Sequence, residues 1–402
     1  MTTGAMSQLV RRPSIRVLLG LTGVLLVAGA ARVIDRTGST SGRESPRPAL
    51  QRTLDEPVAG PSPVAPGATA YVSGPRGTWL GSAGVADANA GTPMPVDARV
   101  RLESVSKIYT AALVLQLAQD GRLGLDDPVA RWLPDLLPYG DRITIRQLLT
   151  MRSGLIDNND LTNASASLRR THLARVEDGE LRAQLMALSA RVEKHPATEI
   201  SPLWWIRWAA WQPLLFTPGT AYHYSNIGYE VLGLVAERAG GEALDVLYRT
   251  RIFEPLGLRA TAYDPQGPIA GPHARGYGIS ADGSRTDTTD WHFGVGAEGG
   301  IVSNAAETAA FLTALMRGEL LDREQVAELR GDGLWLGGTP SGCAGPAYGW
   351  SGGGNGFKTE AWVDASGGRV AVLLLNARHL GTAQPAADRA AHEALVGLFC
   401  GA

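Results

Sequence analysis

Ser104-Val105-Ser106-Lys107 sets a hydroxyl and an amine three residues apart. On a helix, residues three apart share a face, so the two side chains can meet. The start of a helix adds free backbone N–H groups and the positive end of its dipole, which favour a serine nucleophile and help to hold an oxyanion. For Lys107 to take the serine proton it must be neutral, which calls for burial or a neighbouring positive charge. Lysine is scarce here: only Lys107, Lys194 and Lys358 occur, against 34 arginines. Arginine cannot give up its proton at working pH and lysine can, so each lysine is a candidate for a place where arginine would not serve, the alternative being chance in an arginine-biased sequence. The plain alternative is that Ser104 only caps the helix.

Two further elements can join this pair. Tyr224-Ser225-Asn226 follows a Pro218-Gly219 turn and precedes a helical pattern over Ile227–Ala239. It offers a phenol that relays protons and an amide that hydrogen-bonds a carbonyl or the lysine. Gly349-Trp350-Ser351-Gly352-Gly353-Gly354-Asn355-Gly356-Phe357 stands before a strand pattern, and its glycines let backbone N–H groups approach a ligand closely. The same stretch fits G-x-S-x-G, which would make Ser351 a rival nucleophile if a strand preceded it and a helix followed. Residues 342–349 read as loop, and a glycine run starts a helix poorly, so Ser104 is preferred. His223 reads as a packing residue or a support behind the site rather than a triad base.

Together these elements resemble the serine β-lactamase and penicillin-binding-protein superfamily, in its class C-like branch, which includes D-alanyl-D-alanine carboxypeptidases, D-aminopeptidases and family VIII carboxylesterases. The resemblance covers about residues 66–400 and extends to connecting stretches such as Gly121–Val129, Ile143–Leu155, Phe253–Leu258 and Glu298–Ser303. It implies that Ser104 is acylated, that Lys107 is its base, and that Tyr224 assists and protonates the leaving group. Asn226 would contact Lys107 and the substrate. Trp350, Ser351, Gly352 and Gly353 would line the substrate site, with the backbone N–H groups of Ser104 and Gly353 as the oxyanion hole. No metal or other cofactor is required.

One departure bears on specificity. Where the family usually has Lys or His before Ser/Thr-Gly, this chain has Trp350. An indole gives an apolar wall and one donor rather than a partner for a carboxylate. The expected activity is therefore that of a carboxylesterase on neutral esters. The alternatives are a β-lactamase or D-alanyl-D-alanine carboxypeptidase acting on cell-wall peptide, or a non-catalytic peptidoglycan-binding relative. Arg152 is a candidate to replace the missing charge.

The elements that must position these residues give an α/β fold: a mainly antiparallel sheet flanked by helices, with a mostly helical part over roughly 105–290. Strand patterns lie at 68–73, 77–85, 357–364 and 369–375, and a closing helix at 386–399. Helical spacing over 104–120 ends at Gly121. Trp204, Trp205, Trp208 and Trp211 cluster in the stretch 156–215; positions 204, 208 and 211 share a helix face. They read as packing, with an apolar lip for an acyl chain as the alternative.

Three arginines and a 15-residue apolar run, Val17–Ala31, make residues 1–31 a signal peptide or N-terminal anchor. Residues 32–65 read as a flexible linker and 66–402 as the hydrolase domain. The expected place is extracytoplasmic, secreted or held by a membrane tether through residues 17–31. Residues 1–52 carry eight Arg against Asp35 and Glu44, so the rest of a chain of net charge −2 is mildly acidic. That argues against a nucleic-acid partner and leaves a small ester or peptide as the expected one. Cys343 and Cys400 are the only cysteines; in an exported chain they either form a disulfide or stay as two buried thiols. Neither lies in a zinc-like cluster.

Overall fold

The computed structural model describes residues 47–162, 171–183, 186, 201–291, 295–330, 345–354 and 356–402. The expected signal segment, most of the stretch 163–200 with Lys194, and Cys343 lie outside them. Cys400 is disulfide-bonded, and Cys343 is the only other cysteine of the chain.

Six strands form the main sheet: β1 (Gly67–Gly74), β2 (Gly77–Asp87), β3 (Thr92–Pro93), β4 (Ala347–Gly354), β5 (Phe357–Asp364) and β6 (Val370–Leu375). Their order is β3-β2-β1-β6-β5-β4, antiparallel throughout. β6 is buried along its whole length, which explains why its sequence runs apolar instead of alternating. Val370, Val372 and Leu374 face one core; Ala371, Leu373 and Leu375 face the other.

Helices cover both faces. The first core holds α2 (Ser106–Gln119), α3 (Asn226–Gly240) and α4 (Ala305–Arg317). The second lies beneath α1 (Arg47–Ala59) and α5 (Gln384–Gly401), which pack on each other and on the sheet. The expected linker over 32–65 is corrected by α1: Leu50 and Leu54, four residues apart, are buried against the sheet, so the folded domain begins by Arg47. Leu50, Leu54 and Val58 recur at four-residue steps, but Pro48 and Pro57 and the polar residues between them obscure the pattern.

A second correction concerns the glycine-rich stretch. Residues 347–354 are not loop but the edge strand β4, paired with β5 from Gly354↔Phe357 to Ala347↔Asp364. Ladder pairing with a well-formed neighbour outweighs the weak strand preference of glycine. Among the described residues of the part over 105–290, helices recur as far as Leu256, and short strands follow at Ala262–Tyr263, Tyr277–Ile279 and Arg285–Asp287. In the tryptophan cluster, Trp205 and Trp208 are buried on the helix Pro202–Ala210, whereas Trp211 is exposed. Packing is thus the role of the buried pair, and it does not follow the 204/208/211 face.

Leu54→Ala should lower stability by ~2–5 kcal/mol, as for other large-to-small changes at fully buried sites. Denaturant unfolding of the variant checks it; an unchanged midpoint would mean α1 is not part of the cooperative unit.

Candidate active site

Strand Val100–Arg101 pairs with Ile301–Ser303, and this short ladder fixes the chain on either side of the site. It leads into a 3₁₀ turn, Glu103–Val105, and then α2. The helix is apolar nearly all round and buried, as expected of a helix inside a large core. Ser104 sits at its entrance, partly open to solvent, one turn before the buried Lys107. Ser104 is not the helix cap: the residue before α2 is Val105, and no side chain caps it.

Lys107 Nζ lies 3.0 Å from Ser104 Oγ, and Ser104 Oγ lies 2.8 Å from the Tyr224 hydroxyl. Tyr224 donates to Asn226 Oδ1 at 2.9 Å. A phenol has one proton to give. Tyr224 gives its proton to Asn226, so the bond between Ser104 and Tyr224 must be donated by Ser104. The chain of donation therefore runs Lys107 to Ser104 to Tyr224 to Asn226. In this state the serine proton points at Tyr224, and Lys107 is a donor to Ser104 rather than its acceptor. Asn226, the first residue of α3, reaches Tyr224 and Asn158 (3.0 Å) rather than Lys107. Its backbone N–H is fixed by Asp157 at 2.7 Å.

The remaining Lys107 contacts were not foreseen. Nζ donates to the Glu298 carbonyl at 2.9 Å and pairs with its carboxylate at 2.6 Å. Burial, the largest single influence, acts to lower the Lys107 pKa, but the charge and hydrogen bond of Glu298 together with Tyr224 outweigh it, and the net shift is upward. This reverses the expectation that its surroundings would favour the neutral amine. Burial likewise pushes Tyr224 above the usual tyrosine range. Glu298 belongs to a stretch already matched to the family, and a carboxylate just before Gly299-Gly300 was the available signal. Its partner is 191 positions away, so nothing local gave the contact.

Three more acidic groups stand close by. Glu103, immediately before the nucleophile, is buried with φ 52, a left-handed conformation that costs a side-chain-bearing residue about 1–3 kcal/mol. Its Oε1 has no partner among the described residues. Burial, aided by Glu298, pushes its pKa up to about 8. Glu230 on α3 accepts the backbone N–H groups of Gly296 and Ala297 at 2.8 and 3.0 Å, yet burial still raises it to about 8. Burial also raises Asp157 to about 6.

The third element divides by strand parity. An added Cβ at Gly352 would come within 2.4 Å of the Leu102 carbonyl and 3.1 Å of the Ser104 nitrogen. Only glycine lets β4 run this close to the nucleophile. Trp350, two residues earlier, lies on the same face and in the same core cluster as Leu102 and Val105, 3% exposed. It is a packed wall of the site's core and not an open indole face. Ser351 and Gly353 face the other way. Ser351 donates to Glu360 at 2.8 Å and accepts from Lys358, and a Cβ at Gly353 would meet Arg378 at 2.8 Å. The Ser351 side chain is thus removed from the substrate site, as is its rival role as nucleophile: strand β5, not a helix, follows it. Arg378 is ion-paired with Asp388. His223 pairs with Asp160 at 2.9 Å, a supporting position as expected.

The raised carboxyls make stability fall with pH. Glu103 keeps its proton in the folded chain up to about 8, while the unfolded chain releases it near 4.5. Stability is therefore lost as pH rises through that window, at about 1.4 kcal/mol per unit for a single group. Glu103→Gln should be more stable than the native chain at pH 8 and lose that advantage near pH 4.5, as read by denaturant unfolding across pH. A difference independent of pH would contradict it.

A family model described as Beta-lactamase matches residues 50–396. Esterase EstB of Burkholderia gladioli is 35% identical over 184 residues, 44% of this chain and 41% of that protein. A D-aminopeptidase of Cereibacter sphaeroides is 31% identical over 176 residues, 44% of this chain and 28% of that protein. The chain thus spans less than half the length of these curated relatives. A solved D-stereospecific amidohydrolase from a Streptomyces species superposes with a TM-score of 0.68 and 28% identity, over 82% of this chain and 94% of that one. D-amino acid amidase from Ochrobactrum anthropi SV3, at 24% identity and TM-score 0.70 over 88% and 97%, shares the fold. With the family model spanning most of its length and the Ser104–Lys107–Tyr224 cluster assembled at its centre, the chain belongs to the Beta-lactamase family.

Proposed function

We propose that this chain is a serine acyl-hydrolase that forms an acyl-Ser104 intermediate, and that its preferred substrates are carboxylic esters bearing no carboxylate near the reacting carbonyl. The observation that carries the reading is the placing of Ser104 Oγ 3.0 Å from the Lys107 amine and 2.8 Å from the Tyr224 hydroxyl. In acylation, Ser104 Oγ bonds to the carbonyl carbon while its proton passes into the Lys107–Tyr224 pair. Collapse of the tetrahedral oxyanion expels the leaving oxygen, which takes a proton from Tyr224. Water then repeats the sequence on the acyl-enzyme.

The oxyanion donors would be the N–H groups of Ser104 and Gly353. In an antiparallel ladder closed by a two-residue loop, the closing pair is the hydrogen-bonded one and the next pair is not. Gly354 and Phe357 close this hairpin; counting back one pair, the Gly353 N–H points out of the ladder at the open sheet edge. Two observations support the ester preference. Trp350, buried in the core beside Leu102 and Val105, brings no cationic side chain to the site. The nearby cations are already engaged, Lys107 by Glu298 and Arg378 by Asp388. Similarity to EstB supports it too. A second reading, hydrolysis of D-amino acid amides or esters, is favoured by the likeness to the D-stereospecific amidohydrolase over most of the chain; the acidic surroundings of the site suit an ammonium group. The sequence of residues 1–31 supports export, so we place the activity outside the cytoplasm, with a tether through residues 17–31 if that segment is kept.

The test compares p-nitrophenyl butyrate, a D-alanine p-nitroanilide and a chromogenic cephalosporin. The ester should give the highest kcat/KM, Ser104→Ala should be inactive, and Tyr224→Phe should lose about 100-fold or more. A cephalosporin turned over faster than the ester would sink the ester preference. Activity retained in Ser104→Ala would sink the nucleophile assignment.

A further inference from the structure

An ammonium has three donors, and at Lys107 all three are engaged: Ser104 Oγ at 3.0 Å, the Glu298 carbonyl at 2.9 Å and the Glu298 carboxylate at 2.6 Å. A lysine so placed has no lone pair to offer. Ser104 can lose its proton only if Lys107 first becomes neutral or Tyr224 becomes a phenolate. The Glu298 charge opposes both, because it stabilises the ammonium and repels the phenolate. Nor is the contact accidental. Residues 296–298 are tied by their backbone N–H groups to the Glu230 carboxyl, and Ile301–Ser303 is laddered to the strand that leads to Ser104. The loop therefore delivers a carbonyl and a carboxylate of one residue to one nitrogen.

We propose that Glu298 is a positioning residue that holds the Ser104–Lys107–Tyr224 group in its fully protonated, resting form at neutral pH, and so sets the pH at which Ser104 can be acylated. The proposal rests on the acyl-Ser104 reading. As pH rises, solvent hydroxide removes one proton from the Lys107–Tyr224 pair. The vacated base then takes the Ser104 proton as Oγ bonds to the acyl carbon, and the same pair returns a proton to the leaving oxygen. The pair titrates as a unit, so the threshold belongs to both residues together.

The other groups facing this nitrogen do not offset Glu298. From the turn before α2 comes Glu103, and from α3 come Glu230 and the Tyr229 ring, whose centre is 5.8 Å away. Burial holds both of these carboxyls protonated up to about 8. Asp157, from the loop beside α3, is spent on Asn226 and Asn159. Tyr222 is exposed, and Arg101 and Arg378 act on Glu103. Glu298 alone makes an ion pair with Lys107 among the described residues. Without it, burial, the largest single influence on this amine, favours the neutral form against the individually smaller contributions of Tyr224.

The experiment is the pH profile of kcat/KM for a p-nitrophenyl ester from pH 6 to 10 with the full chain, native and as Glu298→Gln and Glu298→Asp. The native profile should rise toward alkaline pH. In Glu298→Gln the rise should move at least one unit toward acid, with kcat/KM at pH 7 greater by about tenfold for each unit moved; Glu298→Asp, whose shorter carboxylate draws back, should move less in the same direction. If Glu298→Gln does not fold, Glu298→Asp decides alone. A limb that stays in place, or a lower kcat/KM at pH 7 in the variant, overturns the proposal. An active Ser104→Ala would instead overturn the acyl-Ser104 reading, whereas an inactive one with an unmoved limb leaves that reading standing and removes only the role of Glu298.

Discussion

A charged amine shut away from water must have its charge answered nearby, and the rest of this structure is arranged around that demand at Lys107. The answer comes from Glu298, and the answering residue must itself be held. Glu230 secures the backbone of its loop, and Glu230 is fixed because α3 packs beside α2 in the main core. The pairing of Ile301–Ser303 with Val100–Arg101 closes the circuit on the nucleophile's side. Removing one member of such a set leaves a buried charge without its partner, so the site's chemistry and the packing of its core are one problem.

The field that results is unusual for a site that must gather a developing negative charge. Four carboxyls, Glu103, Glu230, Glu298 and Asp157, lie around one ammonium. Burial keeps Glu103 and Glu230 neutral near pH 7, which leaves the Glu298 charge as the direct answer to the Lys107 ammonium. The strained turn at Glu103 serves the same arrangement: it brings Ser104 out of the strand and onto the helix with its hydroxyl between Lys107 and Tyr224.

Much of this was legible in the sequence where the signal was local. Ser104 and Lys107 share a helix face by spacing alone, and the unbroken apolar run of β6 announced a strand covered on both sides. Tyr224 and Asn226 sit two apart at a helix entrance, close enough that their bond follows from the turn. What stayed hidden depended on register or distance. Ser351 and Gly352 are neighbours in sequence, but strand parity sends one away from Ser104 and brings the other against it, and parity is known only once β4 is paired with β5. Asn226 was expected on Lys107, yet its amide is taken by Tyr224 and Asn158. Glu298 finds Lys107 across 191 residues. Helix α1 offered Leu50, Leu54 and Val58, a short apolar stripe interrupted by Pro57 that did not stand out from a polar, proline-bearing tether.

The ladder between β1 and β6 joins Ala68 to Leu375, and this has a consequence for the order in which the molecule is made. During synthesis the first two strands emerge with nothing to pair against on their inner edge, and they must wait for some three hundred residues before β6 arrives. Contacts of such long separation form late and slowly. Lys107 can take up its helix, and Tyr224 its place at the entrance of α3, earlier, yet β4, which brings Gly352 to the nucleophile, joins only through β5 and β6. A partly made chain therefore has the serine and the lysine but no completed site, and hydrolytic competence arrives together with closure of the sheet.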